Sequence, residues 1–180
     1  MKVTAITTIS ADGRITPPDA EGTAFSSPET GANFFSLISS VDAVISGRGT
    51  YDVVKEMMTD MAAGMDDTAL NIIMTRSPSR YEDPTLPDNF EFTAQEPSEL
   101  MKSLEERGIQ SVVVAGGSQI YAAFAANQLI DEWIIVVEPL LLGGGKPLLA
   151  SVADQQLTLE EHKPLNENTV LLRYRVEGRS

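Results

Sequence analysis

The chain has 180 residues, 42% of them apolar, and no cysteine. This is enough for a core of its own, and it rules out a disulfide framework or a thiolate metal site. Twenty-six acidic against thirteen basic residues give a net charge of −13, which argues against a nucleic-acid groove, where affinity comes from neutralising phosphates. No apolar run reaches the roughly 20 residues of a membrane span, and the opening MKVTAITTIS is too polar for a signal peptide. The expectation is a cytoplasmic chain, residues 1–180 folding as a single domain without membrane contact.

Residues 2–9 carry the β-branched side chains of a first strand. Asp12-Gly13 marks a turn, and the proline-rich stretch 16–28 reads as a long loop: a pocket wall or lid on one reading, a surface connection on the other. Ser27-Pro28-Glu29 opens a helix, with a cap, a proline in the first turn and an acid favoured by the helix dipole. Phe34, Phe35, Leu37, Ile38 and Val41 give that helix its apolar side.

Ala43-Val44-Ile45 is a short buried strand that runs into Gly47-Arg48-Gly49-Thr50 and a helix carrying Val53, Val54, Met57 and Met58. Residues 60–68 read as a loop. Leu70–Met74 is a third strand, ending in Thr75-Arg76-Ser77, a phosphate-sized cluster of two hydroxyls and a guanidinium. Turns fill 78–89, and 90–93 is a short strand. A helix opens at Pro97 and closes at Gly108.

Ser111–Ala115 is β-branched with no polar alternation, as expected of a strand covered on both faces. Gly116-Gly117 follows, with Ser118 as a cap, then a helix whose apolar side is Ile120, Tyr121, Phe124, Ala125 and Leu129. Trp133–Val137 is a further strand, followed by the glycine-rich loop Gly143–Lys146. Residues 156–162 and 169–176 alternate as an antiparallel hairpin, with Val170, Leu172, Tyr174 and Val176 on one face. The single histidine, His162, reads as a surface residue at a strand end, so no metal site is expected.

Strands alternating with helices predict an α/β fold, with a mainly parallel sheet covered on both faces and an antiparallel hairpin at its end. In such sheets ligands bind beyond the carboxyl ends of the strands. Three of those ends, at Gly47, Thr75 and Gly116, carry turns suited to anions, with glycines at two helix starts and an arginine between hydroxyls at the third. Side by side they would cradle a ligand with more than one phosphate, a phosphorylated nucleotide. Each turn taken alone reads equally as ordinary loop chemistry.

In order and spacing, DAVISGRGTYD, IIMTRS, VVVAGGSQIYAAF and LIDEWIIVVEPLLLGGGKPLL resemble the dihydrofolate reductase-like superfamily. Within it, the likeness is to the reductase domain of riboflavin-pathway deaminase–reductases and its stand-alone relatives. The resemblance implies a three-layer sandwich around a mixed sheet of about eight strands, and NADPH as hydride donor. It places Gly47, Arg48, Gly49 and Thr50 at the cofactor phosphates, and Thr75, Arg76 and Ser77 at the 2′-phosphate. Gly116, Gly117, Ser118, Gln119, Ile120 and Tyr121 would lie along the pyrophosphate and nicotinamide. An arginine offers paired donors to a 2′-phosphate that NADH lacks, so NADPH preference is expected.

Asp12 matches the riboflavin branch and reads either as a group that orients the substrate sugar hydroxyls or relays a proton, or as a plain turn residue. Glu29 is the carboxylate nearest the dihydrofolate reductase position, and it reads equally as a surface acid at a helix start. The first helix has no basic residue for a substrate phosphate; Lys146 or Arg14 is the substitute. The implied activity is reduction of a pyrimidine- or pteridine-like small molecule, most like 5-amino-6-(5-phosphoribosylamino)uracil. The alternatives are a dihydrofolate or pterin reductase and a non-catalytic NADPH-binding module. A homodimer is implied too, with the apolar run 133–142 as a contact.

Overall fold

A computed structural model describes residues 1–55, 69–81, 85–149 and 152–178. Its eight strands are β1 (Lys2–Ser10), β2 (Ala43–Gly47), β3 (Leu70–Met74), β4 (Phe90–Thr93), β5 (Ser111–Val114), β6 (Glu132–Glu138), β7 (Leu157–Pro164) and β8 (Val170–Val176). They form one sheet in the order β4-β3-β2-β5-β1-β6-β8-β7. Strands β1 to β6 pair in parallel, and β8 joins β6 and β7 antiparallel. The mixed, mainly parallel sheet with a terminal hairpin is the fold expected.

The continuous apolar runs are explained by the two cores. On β5, Val112 and Val114 enter one core with Leu100, Met101 and Leu104 of α3 (Pro97–Glu106) and Tyr121, Phe124 and Ala125 of α4 (Ser118–Ala126). Val113, pointing the other way, packs in the second core with Phe34, Leu37 and Ile38 of α1 (Pro28–Ile38). A strand clad on both sides has no face to leave polar. Each fully buried side chain such as Phe124 or Ile134 contributes about 1.5–3 kcal/mol.

Element ends follow local chemistry. Ser27 caps α1, its Oγ accepting the Thr30 N–H at 3.3 Å, and the helix stops at Ile38, short of Val41. Gly108, at φ +85°, ends α3 in the left-handed conformation that glycine adopts freely. Residues 48–55 are helical (α2); Met57, Met58 and the loop expected over 60–68 lie outside the described residues. A short 3₁₀ turn, Pro78–Tyr81, stands within the stretch read as turns. Ser118 corrects an expectation. The cap position of α4 is Gly117, and the Ser118 hydroxyl instead donates to the Pro147 carbonyl at 2.6 Å.

Two acids in β6 were not foreseen as buried. Glu132 accepts from Lys2 Nζ at 2.9 Å. Glu138, 2% exposed, accepts from the Ser27 N–H, the Thr30 hydroxyl and the Thr169 hydroxyl at 2.8, 2.6 and 2.8 Å. Burial pushes its pKa up, but the surrounding donors outweigh burial and hold the carboxyl below its ordinary range. One buried carboxylate thus fastens the end of β6, the start of α1 and the turn before β8.

Candidate active site

Because β1 to β6 run parallel, their carboxyl ends share one rim, and a cleft of about 1310 Å³ opens there. The turns after β2, β3 and β5 all line it. Gly47, Arg48, Gly49 and Thr50, then Thr75, Arg76 and Ser77, then Gly116 to Tyr121 face the same space. The first and third turns are joined directly, the Gly47 N–H donating to the Gly116 carbonyl at 2.7 Å. A Cβ on Gly47 would stand 2.8 Å from Ile120 Cγ1, so a larger residue there would force the Ile120 side chain at the start of α4 to move.

The donors in the cleft suit an anion. No side chain caps α4, and the N–H groups of Ser118 and Gln119 have no acceptor among the described backbone groups. Free N–H groups at a helix start, with the dipole behind them, favour negative charge. Arg76 makes no side-chain hydrogen bond or ion pair among the described residues, and neither does Arg80 on the 3₁₀ turn. That turn is held by aromatic packing: Tyr81 stacks on Phe92 at 5.1 Å and meets Tyr51 edge-on at 6.0 Å. Arg48 is committed to Asp52 at 2.9 Å and to Tyr81, so it ties the turn to α2 as well as lining the cleft.

Tyr121 is 3% exposed and donates its hydroxyl to the Ile6 carbonyl; burial pushes that hydroxyl well up in pKa. It is a pin in the cleft floor rather than a proton source. The long stretch 16–28 is a pocket wall: Thr16, Glu21, Gly22, Thr23 and Ser26 line the cleft opposite Phe34 and Phe35 of α1.

The two carboxylates expected at the substrate do not line the cleft. Asp12 accepts from Ser10 Oγ at 2.6 Å and from the Leu142 and Gly143 N–H groups at 3.0 and 2.8 Å. The Ser10 hydroxyl and those N–H groups hold its carboxyl down to about 2. It staples the turn after β1 to the glycine-rich loop, which is the turn reading rather than the sugar-orienting one. Glu29 accepts from Asn166 Nδ2 at 3.2 Å on the exposed side of α1, as a surface acid does. His162 lies exposed in β7, and no cluster of metal-ligating side chains is found among the described residues. The sequence reading missed Arg80, whose approach to the cleft depends on the 3₁₀ turn, and Thr7, Thr8 and Val136, which no local motif marks.

Residues 1–171 match the RibD C-terminal domain family. The chain belongs to that family. It is 31% identical over 115 residues to YwjB of Bacillus subtilis (strain 168), covering 64% of this chain and 62% of YwjB. It is 36% identical over 75 residues to the riboflavin biosynthesis protein RibD of Chlamydia trachomatis serovar D, covering 40% of this chain and 19% of that protein. The matches thus span less than two thirds of either relative's own length. Among solved structures, a pyrimidine reductase-like protein from Corynebacterium diphtheriae superposes with TM-score 0.80 at 14% identity, covering 99% of this chain and 92% of that one. The deaminase/5-amino-6-(5-phosphoribosylamino)uracil reductase of Thermotoga maritima gives TM-score 0.77 at 16% identity, over 97% of this chain and 56% of that one. The family is that of a riboflavin-pathway reductase domain, and no described helix is long and apolar enough to cross a membrane.

Proposed function

We propose that this RibD-family chain is an NADPH-dependent reductase of a pyrimidine-like small molecule, most like 5-amino-6-(5-phosphoribosylamino)uracil. The observation that carries the reading is the convergence of the turns at 47–50, 75–77 and 116–119 on one cleft. The residues fit the cofactor: uncapped N–H groups of α4 suit the pyrophosphate, and Arg76 and Arg80, without a side-chain partner among the described residues, suit a 2′-phosphate together with Ser77. When bound, NADPH supplies the hydride. The chain's own part is to hold the two reactants in register and to keep water out with Ile15, Phe34, Phe35 and Val136.

The same reading takes the protein to act in the cytoplasm as a homodimer on a small-molecule substrate. Support for the dimer is the sheet face of β6, β8 and β7. Opposed residues share a face, which brings Ile135, Leu172, Tyr174, Leu157 and Leu159 together, the last two 37% and 49% exposed.

The test is loss of NADPH absorbance with 5-amino-6-(5-phosphoribosylamino)uracil, dihydrofolate and dihydrobiopterin, alongside a thermal shift with NADPH alone. Turnover of the first compound supports the proposal. Turnover of either pterin instead moves the substrate class. A shift without turnover leaves the non-catalytic module, and no shift removes the cofactor reading altogether.

A further inference from the structure

Val44, Ser46 and Asn71, on the adjoining strands β2 and β3, all line the cleft. Val44 and Asn71 are register partners and share a face of the sheet, and Ser46, two residues along β2, points the same way. That face belongs to α1, since Val44 packs with Phe34 and Ile38 in the second core. From strand spacing and rise, the Cα atoms of Ser46 and Asn71 stand about 8 Å apart. The lining around them is apolar: Phe34 and Ile38 from α1, Val44 between the strands' polar residues, and Val54 from α2. No basic residue lies on α1, and Arg48, two residues beyond Ser46, is committed to Asp52 and Tyr81.

Both polar side chains are buried, Ser46 4% and Asn71 6% exposed, and neither is fully satisfied. The Ser46 hydroxyl has no hydrogen-bond partner among the described residues. Asn71 spends one Nδ2 hydrogen on the Ala69 carbonyl at 3.2 Å. That bond fixes the amide, because turning it over would set oxygen against oxygen. Its Oδ1 is left without a donor among the described residues. Buried polar groups left unpaired are costly, so two of them facing one cleft mark where a guest supplies the partners. A hydroxyl gives or takes a hydrogen bond, whereas Oδ1 only accepts. The complement is a planar edge with an N–H beside a carbonyl, on an uncharged ring that suits the apolar walls.

We propose that Ser46 and Asn71 recognise the lactam edge of an uncharged heterocyclic ring. The ring N–H donates to Asn71 Oδ1, and the Ser46 hydroxyl donates to the adjacent ring carbonyl. The inference deepens the proposed reading by naming the edge that holds a pyrimidine-like substrate; it rests on that reading for the reaction, but not for the two unpaired groups. It makes the pair a determinant of specificity. A ring alkylated at that nitrogen has no donor to offer and leaves Asn71 buried and unpaired.

The experiment is ligand-observed NMR titration of the full chain with 6-aminouracil and, in parallel, 1,3-dimethyl-6-aminouracil, each with and without NADP+. Wild type, Ser46→Ala, Ser46→Thr and Asn71→Leu are compared. Expected is roughly fivefold weaker 6-aminouracil binding in Ser46→Ala and Asn71→Leu, recovery in Ser46→Thr, and weak binding of the dimethyl compound that no substitution changes. Ser46→Ala should also unfold no earlier than wild type on heating, because the hydroxyl it removes has no bond to lose. A lower midpoint there makes the serine a structural residue and overturns the inference. So does equal 6-aminouracil affinity in wild type and Ser46→Ala, equal wild-type affinity for the two compounds, or no 6-aminouracil binding in either cofactor state. Turnover of 5-amino-6-(5-phosphoribosylamino)uracil by the wild type is scored separately. Turnover with unchanged Ser46→Ala affinity retains the reductase and discards the ring-edge site. Serine-dependent 6-aminouracil binding without turnover does the reverse.

Discussion

Arg76 and Arg80 are charged side chains without a charged partner among the described residues, on a chain with twice as many acids as bases. A guanidinium left free beside a cleft is a binding group in waiting. Charge-assisted hydrogen bonds to a phosphate are worth about 1.5–3 kcal/mol, or roughly 10- to 150-fold. Arg76→Ala is therefore expected to raise KM for NADPH by that factor and leave NADH unchanged, as steady-state kinetics with the two cofactors will read. Equal loss with both would place the arginine elsewhere. At the same scale, Asp12, Asp42 and Glu138 are all held below the ordinary carboxylate range by hydrogen-bond donors. A lowered folded-state value adds stability that is complete above the unfolded-state pKa of about 4 and disappears as pH falls through the folded value. The thermal midpoint should be flat from pH 7 to about pH 5 and fall below pH 4. Asp12→Asn should be less stable at pH 7 and show a shallower acid limb toward pH 2.

Among the elements, the turn at Gly143–Lys146 is tightly constrained at Gly145. Gly145 has φ +91°, and a Cβ there would stand 1.9 Å from the Thr16 carbonyl oxygen, a backbone atom that cannot step aside. Gly145→Ala is predicted to cost about 1–3 kcal/mol or more, lowering the midpoint by several degrees at about 2–4 °C per kcal/mol, whereas Gly49→Ala, with no atom within 4 Å of its Cβ, should be far milder. The strands and the three turns that line the cleft were legible because their signals are local: β-branched runs such as 111–114, then glycines or Thr-Arg-Ser at the break. The partners of Asp12 were not, since Leu142 and Gly143 lie 130 and 131 residues away in sequence. Ser118 misled for the same reason. A serine before a helix reads as a cap unless the chain near Pro147 is known to return beside it.

For the molecule as a whole, the surplus of negative charge and the basic end of the cleft work together. A net charge of −13 disfavours anions in general, and the arginines at 48, 76 and 80 set a local exception to it at the cleft. The apolar face of β6, β8 and β7 makes the homodimer testable without ligand: light scattering should give twice the 19.4 kDa chain mass, and Leu159→Glu, at a side chain 49% exposed, should return it to one chain without loss of helix or sheet signal. Retention of the dimer in that variant would move the contact to another surface.

The bond from the Gly47 N–H to the Gly116 carbonyl bears on traffic through the cleft. It makes the β2 and β5 side a fixed jaw, with two helix starts locked to each other and to the sheet. The opposing jaw, residues 16–28, is fastened at Thr16 and at Ser27, whose N–H donates to Glu138, with the exposed contact of Glu21 to Lys146 between them. Any opening therefore falls to the 16–28 side, on the stretch that carries Glu21.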